Sequence, residues 1–192
     1  MSAKKLMKIW SKAVLIACLS FLSVLVPLGF ASGPSSGTFQ FLIGTGPLCS
    51  IPGVQNPCPD VSRASNGDTV AIAGQGTLSF QPNGVNGTGT FVHRASDGTI
   101  KAMGIWTAVQ LMSFKSFGTS APLPANFVGG KAEILVQLSV GGTVVHTGVL
   151  TVICDVGSPP TGLMEGFTLV VQGTPFNFNQ QVSGITLFIS QS

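Results

Sequence analysis

Residues 131–155 read KAEILVQLSVGGTVVHTGVLTVICD, and this stretch decides the fold of the chain. Apolar residues stand at every second position from Ala132 to Val140, which is the period of a strand with one buried face. Gly141 and Gly142 follow, and a glycine pair readily adopts the positive φ angles of a two-residue hairpin turn. The return strand carries these residues on one face: Val144, His146, Gly148, Leu150 and Val152. Because a lone hairpin is marginally stable, we expect the remaining chain to supply further strands.

Extended segments separated by turn residues are predicted on both sides of this hairpin. They span residues 38–43, 68–80, 88–94, 99–117, 167–171, 175–178 and 182–190. The proline-rich segment 46–66 is interpreted as one long loop. No segment after residue 31 combines helical periodicity with helix caps. The fold class is therefore all-β, a single antiparallel β-barrel or a two-layer β-sandwich of eight or nine strands, and the long neighbouring strands favour the barrel.

The first part of the chain has the features of an export signal, which is expected to be helical. Its basic region contains Lys4, Lys5, Lys8 and Lys12. An apolar run follows from Ala13 to Phe30, and small residues favour cleavage after Ala31. The chain is thereby divided into a signal peptide, 1–31, and one all-β domain, 32–192, which is expected to be secreted.

Other interpretations of the leader stay open because its apolar run is longer than usual. The run is long enough to stay uncleaved as an anchor, and a prepilin-type cut between Lys12 and Ala13 would leave a membrane-length helix. A lipobox ending at Cys18 is disfavoured, since only five apolar residues precede it.

The positive charge of the chain belongs to the leader. The formal charge of +3 comes from nine Lys and Arg against six Asp and Glu. Four lysines lie before residue 31, so the domain has five basic and six acidic residues. A charge near −1 excludes a nucleic-acid or acidic-lipid partner held by electrostatics. So few charges favour association between copies.

Three cysteines follow the leader: Cys49, Cys58 and Cys154. Export permits disulfides, and the local pair Cys49–Cys58 is favoured over a bond from either loop cysteine to Cys154. The cysteines lack the spacing of a metal site, so no metal or other cofactor is expected.

Few side chains in the domain are suited to acid–base chemistry. His93 and His146 are interpreted as packed or rim histidines, since a catalytic base needs an oriented partner. Asp60, Asp155 and Glu165 lie in or beside predicted loops, and no spacing forces two carboxylates together. Asp68 and Asp97 fit turn positions next to Gly67 and Gly98.

One set of large apolar side chains either lines a cavity or forms the core, and the core is the favoured interpretation. The set consists of Trp106, Phe91, Phe80, Met103 and Met112.

Three functional hypotheses follow. The favoured one is an exported, non-enzymatic β-domain with a structural or interaction role at the cell surface or in the medium. In a sandwich, segments 39–43 and 185–189 would be edges for pairing with other copies. The first alternative is a barrel that binds a small hydrophobic ligand through Trp106, Phe91 and His146. The second is a barrel-type isomerase or cyclase that uses His146 or an acidic loop residue.

Overall fold

The structure, a computed structural model, describes residues 37–191 and is all-β, as predicted. The predicted leader, 1–31, lies outside the described residues. One short 3-10 helix, Gly46–Ser50, accompanies ten strands, one more than the upper expectation. The strands are β1 (Thr38–Ile43), β2 (Asp60–Ala64), β3 (Thr69–Phe80), β4 (Asn83–Arg94), β5 (Ile100–Gly118), β6 (Phe127–Val140), β7 (Thr143–Cys154), β8 (Gly166–Val171), β9 (Asn177–Ser183) and β10 (Thr186–Gln191).

The antiparallel sheet closes into a ring with one continuous face and one divided face. Strands β3, β4, β5 and β6 pair in succession and form the continuous face. On its other side, β3 pairs with β2 through residues 69–72 and with β1 through residues 74–79. Strand β6 likewise pairs with β7 over most of its length and with β10 at residues 127–128. The divided face therefore consists of β2–β9–β8–β7 at one end and β1–β10 at the other.

The predicted strand edges are not free in this ring. Segments 39–43 and 185–189 fall in or next to β1 and β10, which pair with each other. Strand β1 also pairs with β3, and β10 also pairs with β6. Within the described residues, every strand has neighbours on both sides, so the edges expected of a sandwich are absent.

The central hairpin follows its sequence pattern except beside the turn, where Val140 and Val144 are 36% and 48% exposed. Ala132, Ile134, Val136 and Leu138 are buried, and Gly141 and Gly142 have φ angles of 57° and 83°. The register shifts between Leu138 and Ser139, so Val145 has no partner on β6. This bulge lies at the start of the return strand, where the side chains become exposed.

Three boundary predictions were wrong. Segments 175–178 and 182–190 are divided differently, since β9 runs from Asn177 to Ser183 and β10 begins only at Thr186. Segment 46–66 contains β2, whose inward residues are Asp60, Ser62 and Ala64. Because two of the three are polar, the apolar alternation that reveals a strand was missing. The turn predicted at 81–87 is also shorter, since β4 begins at Asn83 and pairs with β3 along its whole length.

Glycines in β3 and β4 make room for two aromatic rings of the core. Gly74 pairs with Gly89, and a Cβ on Gly89 would lie 2.5 Å from Nε1 of Trp106. Gly76 pairs with Gly87 in the same way beneath the ring of Phe41. The rings of Phe41 and Trp106 stack with centroids 6.4 Å apart. Backbone atoms of the paired strand approach as closely as these rings, because a Cβ on Gly76 would also lie 2.2 Å from the carbonyl oxygen of Asn86.

The predicted local disulfide is present. Cys49 and Cys58 are bonded, with Cα atoms 5.2 Å apart, and Cys154 is a buried free thiol. A disulfide is compatible with an oxidising, extracytoplasmic environment. In the part of the chain that the structure describes, no helix is long and apolar enough to cross a membrane.

Candidate functional site

A cavity of about 90 Å³ opens at one end of the ring, the end at which β2, β9, β8 and β7 form the divided face. Seven strands, β3 to β9, and the β8–β9 turn contribute to its wall. The lining residues are Val70, Phe91, His93, Ala102, Leu138, Val145, His146, Leu169, Val171, Phe176 and Phe178. Apart from the two imidazoles, every lining side chain is apolar. We call this the mouth cavity.

His93, which lines the mouth cavity, has an oriented partner in Asp68. Its Nε2 lies 3.1 Å from Oδ2 of Asp68, and its ring packs edge-on against Phe176 and Phe178. The backbone N–H of Ser96 donates to the other oxygen of Asp68. Since the carboxylate accepts at Nε2, the neutral ring carries its proton there, and Nδ1 is left as an acceptor.

The carboxyl of Asp68 is held in its ionised form. Burial raises its pKa, but hydrogen bonds from His93 and Asn66 and the charge of His93 outweigh burial, so the pKa lies below its usual value. The predicted turn role is also present, because the Asp68 N–H donates to the side-chain oxygen of Asn66. Sequence reasoning identified the turn but not the contact with His93, which depends on the pairing of β3 with β4.

The residues proposed from sequence as a ligand site do not all meet in one place. Phe91 and His146 line the mouth cavity, and His146 is exposed at its rim. Trp106 does not line the cavity. It is fully buried between Phe41 and the glycines of β3 and β4, and its Nε1 has no hydrogen-bond partner.

The other apolar residues of that set lie elsewhere. Met103 and Met112 are each 53% exposed on the outer face of β5, so neither a cavity nor a core role fits them. Phe80 packs against Phe39 and Phe114, with ring centroids 6.1 Å and 5.5 Å away, in an aromatic group of the core.

A second group of polar residues lies where the divided face separates. Strands β8 and β9 share only two register pairs, whereas β7 and β8 share six. An open cleft of about 430 Å³ adjoins this gap and is lined by Asp155, Leu163, Met164, Glu165, Gln181, Val182, Ser183 and Gly184. We call it the β8–β9 cleft. Behind it, the hydroxyl of Ser62 donates to the carbonyl of Phe167 and links β2 to β8.

Asp60 is fully buried beside the β8–β9 cleft, and neither of its carboxyl oxygens has a hydrogen-bond partner. Burial and the nearby charge of Glu165 raise its pKa to about 8, although the adjacent Val61 amide lowers it in part. No ion pair of the described residues involves Asp60. The group is therefore mostly protonated at neutral pH unless a cation replaces the proton.

Glu165 connects strand ends around the same position. Its Oε1 accepts from the N–H of Thr186 at 2.6 Å, and its Oε2 accepts from the N–H of Asp155 at 2.7 Å. Burial raises its pKa to about 7, and these hydrogen bonds offset part of the rise. Thr186 Oγ1 lies within 2.8 Å of Glu165 Oε1 and 2.6 Å of the carbonyl of Ile153, but its single proton serves only one of them.

The Asp60–Glu165 pair was missed because its members are 105 positions apart and only the folded ring brings them close. The prediction that no spacing forces two carboxylates together is true of the sequence but not of the fold. The alternation Asp60, Ser62, Ala64 was the available signal. Burial and the charge of Glu165 also raise the pKa of the Cys154 thiol to about 12.

No family model matches the chain, and comparison with curated proteins and with solved structures also found no match. Among the described residues, no three His, Cys, Asp or Glu side chains are placed together to hold a metal ion.

Proposed function

We propose that this domain binds a small, mainly apolar molecule in the mouth cavity, with a head group that donates a hydrogen bond to His93. The observation that carries the proposal is the convergence of seven strands on one apolar cavity with imidazoles at its rim. Cofactor and ligand sites of barrels occur at such mouths. The ligand is bound after export of the domain, which agrees with its disulfide.

The size of the cavity limits the ligand. At about 90 Å³ it is smaller than an engineered cavity of about 150 Å³ that binds benzene. It is also below the range of about 300–1,000 Å³ typical of drug-sized ligands. The enclosed part of the ligand is thus the end of an aliphatic chain or a small ring. The remainder extends past Val145 and His146, which are exposed at the rim.

The chemistry of the rim selects the head group. Asp68 engages Nε2 of His93, so Nδ1 accepts a hydrogen bond. A hydroxyl donates to this atom, whereas an alkane leaves it unpartnered. A medium-chain alcohol is therefore the simplest probe, with the alkane of equal length as its matched control.

The test compares two alanine-to-phenylalanine variants. Ala102 lines the mouth cavity, whereas Ala125 is exposed in the β5–β6 connection. NMR titration with the alcohol should shift the methyl signals of Val70, Leu138 and Leu169 in the wild type and in Ala125→Phe. Ala102→Phe should abolish these shifts because the added ring fills the cavity. The proposal fails if the wild type does not bind the alcohol, or if Ala102→Phe binds it equally well.

A second candidate function is a structural or interaction role through self-association, and the outer face of β5 favours it. Four exposed apolar side chains lie along this strand, with the exposed Thr107 and Gln110 among them: Met103, Ile105, Val109 and Met112. With a net charge near −1, copies of the domain repel each other weakly, so a second copy is the partner proposed for this stripe.

Association through the stripe differs from the predicted pairing of strand edges and is tested separately. Ile105→Lys and Met112→Lys should convert a dimer to a monomer in light-scattering measurements, because a lysine placed in the contact is not desolvated easily. A wild type that is monomeric at all concentrations would exclude this candidate. The isomerase or cyclase hypothesis remains a prediction, for which His93, rather than His146, has an oriented partner.

A further inference from the structure

We propose that Asp60 and Glu165 hold a hard divalent cation of the Ca²⁺ class at the base of the β8–β9 cleft. This site is separate from the mouth cavity and does not depend on the proposed ligand.

The first observation is the state of Asp60. It is fully buried, and neither carboxyl oxygen has a hydrogen bond of normal geometry, although the adjacent Val61 N–H lies near enough to favour the ionised form in part. Buried polar atoms in native proteins are nearly always hydrogen-bonded or bound to an ion, since leaving them unpartnered costs about 1–3 kcal/mol or more. A second carboxyl group close by, Glu165, adds no donor in its ionised form. The pair is therefore completed by something that carries positive charge.

The second observation is the enclosure of Asp60. Gly44, Gly166 and Gly184 approach it so closely that a Cβ on any of them would lie within 3.1 Å of an Asp60 atom. A Cβ on Gly184 would lie 2.6 Å from the Asp60 carboxyl carbon, and Gly184 itself lines the β8–β9 cleft. The backbone of Gly184 thus lies against the carboxyl group and also lines the cleft.

The third observation is that further oxygen ligands lie around the same point. Glu165 Oε2 accepts one hydrogen bond, from Asp155, and has a lone pair free. A Cβ on Gly166 would lie 3.1 Å from Asp60 Oδ1 and 1.8 Å from Gln181 Nε2, so the Gln181 amide adjoins the carboxyl group. A flip of this amide exchanges its oxygen and nitrogen without changing its shape.

These donors decide the class of the cation. Two carboxylates and an amide oxygen are hard ligands, and both histidines lie at the mouth cavity instead. Ca²⁺ accepts six to eight oxygens in flexible geometry and completes its shell with carbonyls and water, whereas Mg²⁺ demands a near-ideal octahedron. A site with two carboxylates, rather than three, suits the weak Ca²⁺ sites of extracellular modules, with Kd near 10⁻⁴–10⁻³ M.

The cation would stabilise the ring where its divided face separates. Asp60 begins β2, Glu165 precedes β8, and Gln181 belongs to β9. One ion would thus join three strands, two of which, β8 and β9, share only two register pairs.

The experiment measures the melting temperature of the purified protein in EDTA and after addition of CaCl₂ to about 10 mM, with MgCl₂ as the comparison. For Kd near 1 mM we expect Ca²⁺ to raise the melting temperature by about 3–6 °C, and Mg²⁺ to raise it less. Asp60→Asn and Glu165→Gln should lose this shift. Asp97→Asn is the matched control, because Asp97 caps an exposed turn by accepting from the Thr99 N–H.

Calorimetric titration of the wild type with CaCl₂ keeps the test decisive if a variant fails to fold. Binding of one Ca²⁺ per chain supports the site if Asp97→Asn retains it and whichever of Asp60→Asn and Glu165→Gln folds has lost it. Absence of a Ca²⁺ shift in the wild type overturns the proposal and leaves a proton as the neutralising charge. An equal shift in Asp60→Asn and Glu165→Gln also overturns it, since the ion then binds elsewhere.

Discussion

Nε2 of His93 lies 3.1 Å from Oδ2 of Asp68, although the two residues are 25 positions apart. Asp68 directly precedes β3 and His93 lies near the end of β4, so the pairing of these strands brings the two side chains together. The contact fixes the proton of a neutral imidazole on Nε2. Nδ1 is then the ring atom that can accept a hydrogen bond from a ligand.

Substitution of Asp68 by Asn should weaken the binding of the alcohol probe by about twofold to tenfold, which corresponds to one hydrogen bond between neutral groups. The amide can donate as well as accept, so the imidazole proton is no longer fixed on Nε2. Binding of the equal-length alkane should not change. NMR titration of both probes into both proteins measures the difference, and an equal loss for the alkane would indicate a general disturbance of the cavity.

Substitution of Gly89 by Ala should destabilise the fold by about 1–3 kcal/mol or more through overpacking. The added Cβ would lie 2.1 Å from the carbonyl oxygen of Ala73 and 2.5 Å from Nε1 of Trp106. Gly84→Ala is the control in the same hairpin, because its Cβ would meet its nearest atom at 3.7 Å. Denaturant unfolding compares the two variants, and equal stabilities would show that Trp106 is not seated as described.

In the presence of a chelator, stability should fall as the pH rises from about 5 to about 8. The pKa of Asp60 is raised from 3.8 to about 8, and that of Glu165 from 4.5 to about 7. The folded state therefore keeps protons that the unfolded state has lost, and this contribution, complete below pH about 4, disappears as the pH passes the folded values. Melting temperatures across this range measure the slope.

Asp60→Asn provides the control for this pH dependence, because the amide does not titrate. Its melting temperature should vary less between pH 5 and pH 8 than that of the wild type, whereas Asp97→Asn should retain the wild-type slope. Hydrogen bonds from Thr99 lower the pKa of Asp97, so this residue titrates below the range. A wild-type protein that is equally stable across the range would contradict the burial of Asp60.

Replacement of Cys49 and Cys58 by Ser should lower the free energy of unfolding by about 2–3 kcal/mol, since the closed loop is short. The bond joins residues 9 positions apart and reduces the conformational freedom of the unfolded chain in the segment that forms the 3-10 helix.

Thiol labelling followed by peptide mapping tests the position of the third cysteine, Cys154. The Cys154 peptide should react only after unfolding, because this thiol is buried. Labelling of Cys154 in the folded protein would contradict its position in the core.

Sequence alone gave the class of the fold because apolar alternation is a local property. The bounds of the β6–β7 hairpin and of strand β1 were predicted to within a few residues. The favoured disulfide, Cys49–Cys58, is the one that forms. Strand β2 was missed because it turns Asp60 and Ser62 inward, against the pattern on which strand prediction depends. The site was predicted only in part, since Phe91 and His146 line the mouth cavity and Trp106 does not.

The sequence by itself determined a weakly charged, all-β domain with alternating strands and tight glycine turns, and it favoured the local disulfide without deciding it. Only the tertiary structure decided that the sheet closes on itself, that His93 meets Asp68, and that Asp60 lies buried near Glu165. The physical reason is the separation along the chain over which each interaction acts. Strand periodicity and turn chemistry act between residues a few positions apart, whereas ring closure and the contacts at both sites depend on strand pairings between distant parts of the chain.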